Sequence, residues 1–149
     1  MNINELRIRN YVLYNGITMK IAGIRCPQPL KDKRFADKYI IELQYNGLID
    51  TTLEYISPVL ITDEILDKTD FSKHIKQFDD DAEYYYFDLY DDKFCDLALI
   101  THLYDDDLCR LGLFPYERWF TFQYVHELQN IFFDLTKEEF KFNLEKQQL

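Results

Sequence analysis

Apolar and polar residues alternate over residues 6–24, with Leu6, Ile8 and Val12 on apolar positions, the period-two signature of strands. Asn15-Gly16 sits between Tyr11-Val12-Leu13-Tyr14 and Ile17-Thr18-Met19-Lys20-Ile21. That dipeptide adopts the positive φ angles of a type I′ turn readily, so a hairpin is predicted here. Cys26-Pro27-Gln28-Pro29 ends the run, because proline cannot donate to a ladder, and a basic loop over 31–38 follows. Residues 38–45 and 48–56 predict a second hairpin turning on Asn46-Gly47. Two such hairpins with little helix between them predict an SH3-like small β-barrel or curled sheet over 1–57, closed by Ser57-Pro58.

Residues 58–149 predict a second, α+β lobe forming one compact unit with the first. Thr62-Asp63-Glu64 opens a short helix, Thr62 capping and the two acids lying in its first turn, with Ile65, Leu66 and Phe71 on the buried side. An antiparallel meander follows. Over 83–90, Tyr85, Phe87 and Leu89 fall on one face and Tyr84, Tyr86, Asp88 and Tyr90 on the other. A second strand continues the buried face with Cys95, Leu97, Leu99 and Leu103 and leaves Asp96, Ala98 and His102 outside. Residues 108–114 make a third strand, ended by Pro115. One long C-terminal helix is predicted over about 122–135, where Tyr124, Leu128, Ile131 and Leu135 recur at helical spacing and Val125 and Phe132 widen the stripe; it is expected to lie across the meander. Phe140, Phe142 and Leu144 alternate as a closing strand, and the polar tail frays.

Charge changes this picture. Residues 79–107 hold eleven acids against one base, Lys93, a formal charge of −10 that equals the net charge of the whole chain. The remainder is neutral as a sum, so the acidity is local. The same window carries Tyr84, Tyr85, Tyr86, Phe87, Tyr90, Phe94 and Tyr104, and disordered acidic segments lack such apolar weight. Folded sheet with acidic turns is the expectation, Asp91-Asp92 and Asp105-Asp106-Asp107 occupying turns. An acidic balance repels phosphate, so direct DNA binding is not expected and a basic protein partner is favoured. Residues 1–38 tilt the other way, with eight bases against three acids.

With 47% hydrophobic and 17% aromatic residues, the chain can bury a core without metal or disulfide support. Cys26, Cys95 and Cys109 form no C-x-x-C pair, pointing to a reducing, cytoplasmic setting. No stretch approaches the roughly 18 apolar residues of a membrane span, and the N-terminus lacks a secretory signal pattern.

Two stretches resemble a family of small uncharacterised proteins encoded by phages and mobile elements. Asn4-Glu5-Leu6-Arg7-Ile8-Arg9-Asn10-Tyr11-Val12 is similar to that family's opening N-E-L-R-I-G-N-Y-V. Tyr124-Val125-His126-Glu127-Leu128-Gln129-Asn130-Ile131-Phe132-Phe133-Asp134-Leu135-Thr136 is similar to its closing Y-V-H-Q-L-Q-N-L-Y-F-A-L-T. The link from Pro58 through Leu66 resembles the family's proline followed by L-T-E-E-W-L. The chain departs from the pattern at Arg9 and Lys137, which stand where the family carries glycine, and at Glu127, which replaces glutamine. The resemblance implies a mobile-element origin and a similar fold, and it brings no activity.

No catalytic or cofactor signature stands out. His126 reads as a hydrogen-bonding residue at a helix start, with no nucleophile placed near it. His102 with Cys109 or Cys95 can be drawn as a thiol dyad for a hydrolase, but neither cysteine sits in a recognisable local signature. The aspartate runs lack the spacing and distal glutamate of a calcium loop. No metal or cofactor is therefore expected. The strongest expectation is a non-enzymatic binder that meets a basic, nucleic-acid-binding surface of a host protein, an inhibitor of a defence nuclease of the anti-CRISPR type being one form. Its contact residues would be Asp79, Asp80, Asp81, Glu83, Tyr84, Tyr86, Asp88, Tyr90, Asp91, Asp92, Asp105, Asp106 and Asp107, aromatic area with carboxylates being suited to arginine-rich surfaces. The alternative is a small SH3-like module that holds a peptide or nucleic-acid element through Arg25, Lys31, Lys33 and Arg34.

Overall fold

The structure is a computed structural model and describes residues 1–27, 38–69, 83–88, 96–101, 109–114, 118–140 and 142. Its class is α+β, as the alternating and helical patterns predict. Two compact units share the chain: Met1–Leu60 with Tyr124–Asn130, and Ile61–Gln123 with Ile131–Leu149.

In the first unit, β1 (Tyr11–Tyr14), β2 (Ile17–Arg25), β3 (Ile40–Tyr45), β4 (Gly47–Thr52) and β5 (Ile56–Pro58) form one antiparallel sheet in the order β4-β3-β2-β1-β5. Asn15 and Gly16 turn the first hairpin at φ 51° and 77°, the positive angles the dipeptide predicts. The second hairpin closes more tightly: Tyr45 pairs directly with Gly47, leaving Asn46 at the tip, and Gly47 takes φ 153°, a conformation that side chains disfavour. A bulge between Ile21 and Gly23 bends β2. Val12, Met19, Ile21, Ile41, Leu43 and Ile56 are buried on one face together with Leu6. Burying each such side chain contributes about 1.5–3 kcal/mol. The sheet is open and does not close as a barrel; the three-residue β5 ends in Pro58, which has no N–H to extend the ladder.

In the second unit, β6 (Glu83–Asp88), β7 (Asp96–Thr101), β8 (Cys109–Phe114) and β9 (Arg118–Phe122) form an antiparallel meander in chain order. β9 is a strand that helical counting obscures. The helix expected over about 122–135 took in Phe122, whereas Phe120 and Phe122 alternate with exposed Trp119 and Thr121, and Phe122 is buried. The short helix α1 (Asp63–Leu66) starts where Thr62 predicts, the Thr62 carbonyl accepting from Ile65 and Leu66 N–H; Leu66 is buried, and Phe71 lies outside the described residues.

The long helix α2 spans Val125–Thr136. It starts three residues later than expected. Its first turns belong to the first unit and its last turn and a half to the second, so it is not an element of the meander alone. Tyr124 serves as its N-cap: Tyr124 carbonyl accepts from Glu127 and Leu128 N–H, and Tyr124 N–H donates to Glu127 Oε2 at 3.1 Å. At the other end Lys137 sits at φ 62° and donates its N–H to Phe133 O at 2.7 Å, an αL cap. Beyond it, Phe140 packs edge-on against Phe132 and tilted against Phe142, and both Phe140 and Phe142 are buried. The predicted closing strand reduces, among the described residues, to an isolated bridge between Phe142 and Thr69.

Candidate functional site

The expected contact residues divide between β6 and segments beyond the described residues. Asp79, Asp80, Asp81, Tyr90, Asp91, Asp92, Asp105, Asp106 and Asp107 lie outside the described residues, as do Lys31, Lys33 and Arg34. Glu83, Tyr84, Tyr86 and Asp88 are on β6. Register then assigns faces, because directly opposed residues of an antiparallel pair lie on the same side of the sheet. Tyr85 pairs with Leu99 and Leu99 with Leu111, while Cys109 pairs with Phe122. Cys109, Leu111 and Phe122 are all buried, so this is the covered face, and Glu83 belongs to it by alternation. Tyr86 pairs with Ala98, Ala98 with Gly112, and Gly112 with Trp119. Trp119 is 44% exposed and Thr121 is exposed. Tyr84, Tyr86, Asp88 and Asp96 therefore share the face on which the sheet's described side chains are open.

Trp119 is the residue that sequence reasoning misses. Its signal is the alternation Trp119, Thr121 against Phe120, Phe122, legible only once 118–122 is recognised as a strand.

On the first unit, Arg25 is held by its neighbours. Its Nη2 donates to Asp50 Oδ2 at 2.7 Å, and Nε lies 3.0 Å from Glu42 Oε1. The hydrogen bond to Asp50, supported by both carboxylates, raises the guanidinium pKa above its ordinary value. Gly23 makes this possible, since a Cβ there would occupy the space of the Glu42 carboxylate. Lys38 pairs likewise with Glu54 at 2.7 Å, which raises the lysine and lowers the glutamate. Both pairs lie at the surface, with 46% of the Arg25 side chain exposed.

The two segments of the family resemblance meet in the first unit through a buried amide cluster. Asn10 N–H donates to Arg7 O at 3.1 Å, and Asn10 Oδ1 accepts from Arg7 N–H at 2.6 Å. This tight turn places Arg9 at φ 79°. Gln129 on α2 reads the strand entry by its backbone: Oε1 accepts from Tyr11 N–H at 2.9 Å and Nε2 donates to Arg9 O at 3.1 Å. Asn130 donates to Glu5 O at 2.6 Å and accepts from Asn10 Nδ2 at 3.1 Å. Asn10 and Gln129 are 1% and 2% exposed, so the Gln129–Tyr11 bond forms away from solvent, whereas the Asn130–Glu5 bond lies at the surface. His126, one turn earlier, does not make the expected hydrogen bond. Neither ring nitrogen has a hydrogen-bond partner among the described residues, the residue is buried, and its ring stacks 5.9 Å from that of Tyr124. Burial lowers its pKa below the ordinary histidine value, opposed by the carboxylates of Glu127 and Glu5. This constellation has donors and acceptors that satisfy backbone, and no nucleophile; it is a structural clasp.

Of the drawn thiol dyad, Cys109 is buried on the covered sheet face, and His102 and Cys95 lie outside the described residues. Among the described residues no three His, Cys, Asp or Glu side chains converge in a metal-holding group, and no helix is long and apolar enough to cross a membrane. No family model, curated protein or solved structure matches the chain.

Proposed function

We propose that this protein is a non-enzymatic binding protein that engages a basic, nucleic-acid-binding surface of a host protein through the acidic, tyrosine-bearing face of β6 and β7. The observation that carries the reading is the gathering of Tyr84, Tyr86, Asp88 and Asp96 on the sheet face that holds exposed Trp119. The surrounding window 79–107 contains charge equal to the whole net charge of the chain, −10. Carboxylates stand in for phosphates, long-range attraction speeds encounter, and the aromatic side chains supply area to bury. The resemblance to phage and mobile-element proteins sets the context: a protein of that origin gains by blocking a defence nuclease, as anti-CRISPR proteins do.

The N-terminal sheet we read as SH3-like. Supporting this are its order β4-β3-β2-β1-β5 and the single 3-10 turn, Leu53–Tyr55, between β4 and β5.

Affinity capture from a nuclease-treated host lysate, followed by a nucleic-acid release assay on the captured protein, tests the function. The expected result is a basic protein that is retained at low salt, lost at high salt, and displaced from its DNA or RNA by this chain. A captured protein that keeps its nucleic acid in the presence of saturating chain refutes the competition mechanism.

A further inference from the structure

The two edges of the first sheet are finished differently. β5 is three residues long and ends in Pro58, the short, proline-stopped form that keeps an edge from pairing further. β4 has none of these guards. It runs six residues, Gly47–Thr52, without proline, lysine or arginine, and its register against β3 is unbroken from the pair Ile40 and Thr52 to the pair Tyr45 and Gly47, so no bulge twists it away. Its one charge, Asp50, is engaged by Arg25 at 2.7 Å. Among the described strands of the sheet β4 is outermost, and alternate residues along such a strand direct backbone N–H and C=O groups away from the sheet. Leu48, in the middle of this edge, is 68% exposed, the most exposed of the large hydrophobic side chains described.

We propose that β4 pairs antiparallel with β4 of a second copy of this chain, about a two-fold axis at Leu48, joining two open sheets into one. The edge specifies the chemistry of its occupant, because a second extended backbone is what satisfies a row of strand N–H and C=O groups. The residue pattern then favours the chain's own strand, since a two-fold pairing sets each residue against a fixed counterpart. With Leu48 opposite Leu48 of the partner subunit, Ile49 falls opposite the partner's Gly47, and Asp50 opposite the partner's Asn46. The two exposed leucines cover each other. Gly47, where an added Cβ meets open space, leaves room for the larger isoleucine, and an asparagine amide can donate to the Asp50 carboxylate. No like charges face each other, because the two Asp50 side chains stand about 14 Å apart, four residues along the strand. Residues 1–60 hold eight bases against six acids, so the segment that builds this sheet carries none of the chain's net negative charge. The inference stands apart from the acidic-face function.

Sedimentation equilibrium of the full chain, from about 1 μM to about 1 mM, tests the pairing in the affinity range of small interfaces. A monomer–dimer equilibrium is expected, and added salt should strengthen it by screening the repulsion between two chains of net charge −10. Binding of a basic protein through the acidic face should weaken under the same change, which separates the two interactions. Leu48→Lys sets two like charges opposite each other and should weaken the dimer at least about tenfold. Ile8→Lys, the same change in charge at a 53% exposed residue away from the edge, should leave the dimer intact. In a Cys26→Ser background, oxidation should cross-link Leu48→Cys chains and not Asp50→Cys chains. A chain that stays monomeric throughout the series, a dimer undiminished by Leu48→Lys, or Asp50→Cys chains that cross-link as fast as Leu48→Cys chains overturns the pairing. A monomer whose β4 amides gain hydrogen-exchange protection only with the captured host protein overturns the second copy and assigns the edge to that protein.

Discussion

Replacing Gln129 with alanine tests the clasp that ties the start of α2 to the first strand. The side chain accepts from Tyr11 N–H at 2.9 Å and donates to Arg9 O at 3.1 Å. Tyr11 is 5% exposed and Gln129 2%, so water does not replace the lost partner. A buried N–H left without an acceptor costs about 1–3 kcal/mol, and loss of the second bond costs about 1 kcal/mol. The truncated side chain leaves a small cavity worth about 1 kcal/mol more. Gln129→Ala should therefore destabilise the first unit by about 3–5 kcal/mol, a large part of a typical domain's stability. Gln129→Met keeps the volume and loses only the amide, so it should cost about 1 kcal/mol less. Urea unfolding gives the free energies, with the m-value checked for constancy, and hydrogen exchange of the Tyr11 amide reports the local effect. A Gln129→Ala protein within about 0.5 kcal/mol of the parent, the range of ordinary surface changes, with Tyr11 still protected, would refute the clasp.

Arg9 and Lys137 occupy left-handed backbone at φ 79° and 62°, so Arg9→Gly and Lys137→Gly should each raise stability by about 1 kcal/mol; an unchanged or lowered melting temperature for both contradicts this. Gly47→Ala should cost more than Gly23→Ala, although a Cβ at Gly47 meets open space and one at Gly23 meets Glu42, because φ 153° is the harder constraint; urea midpoints rank the two. His126 is buried neutral with its pKa lowered, so the folded state resists a proton that the unfolded chain accepts. Stability should be full above pH about 6.5 and fall by up to about 1.4 kcal/mol per pH unit as pH drops toward the folded-state value. His126→Phe should flatten that part of the profile, and an identical profile in the variant would count against it.

What was legible in the sequence was local. Asn15-Gly16 carries its turn in its own residue types, and the alternation over 83–88 and 96–101 matches the observed register face for face. Residues whose role depends on distant partners were not legible. Gln129 looks like an ordinary polar position on a helix, and its partner Tyr11 is 118 residues away. The open form of the first sheet follows from Pro58 at the end of a three-residue strand, whereas two good hairpins read equally well as a closed barrel. β9 was hidden because Phe122 fits the phase of the helical stripe that follows it, and with β9 went Trp119.

The association constant of the purified chain with its captured basic partner, measured across a salt series, tests the acidic-face function most directly. Wild-type binding should weaken steeply and log-linearly with salt, as charge-driven association does, and the slope should flatten when Asp79, Asp80 and Asp81 are replaced by asparagine. An association constant that holds steady from low to high salt, or a slope untouched by those substitutions, would contradict the function proposed for this face.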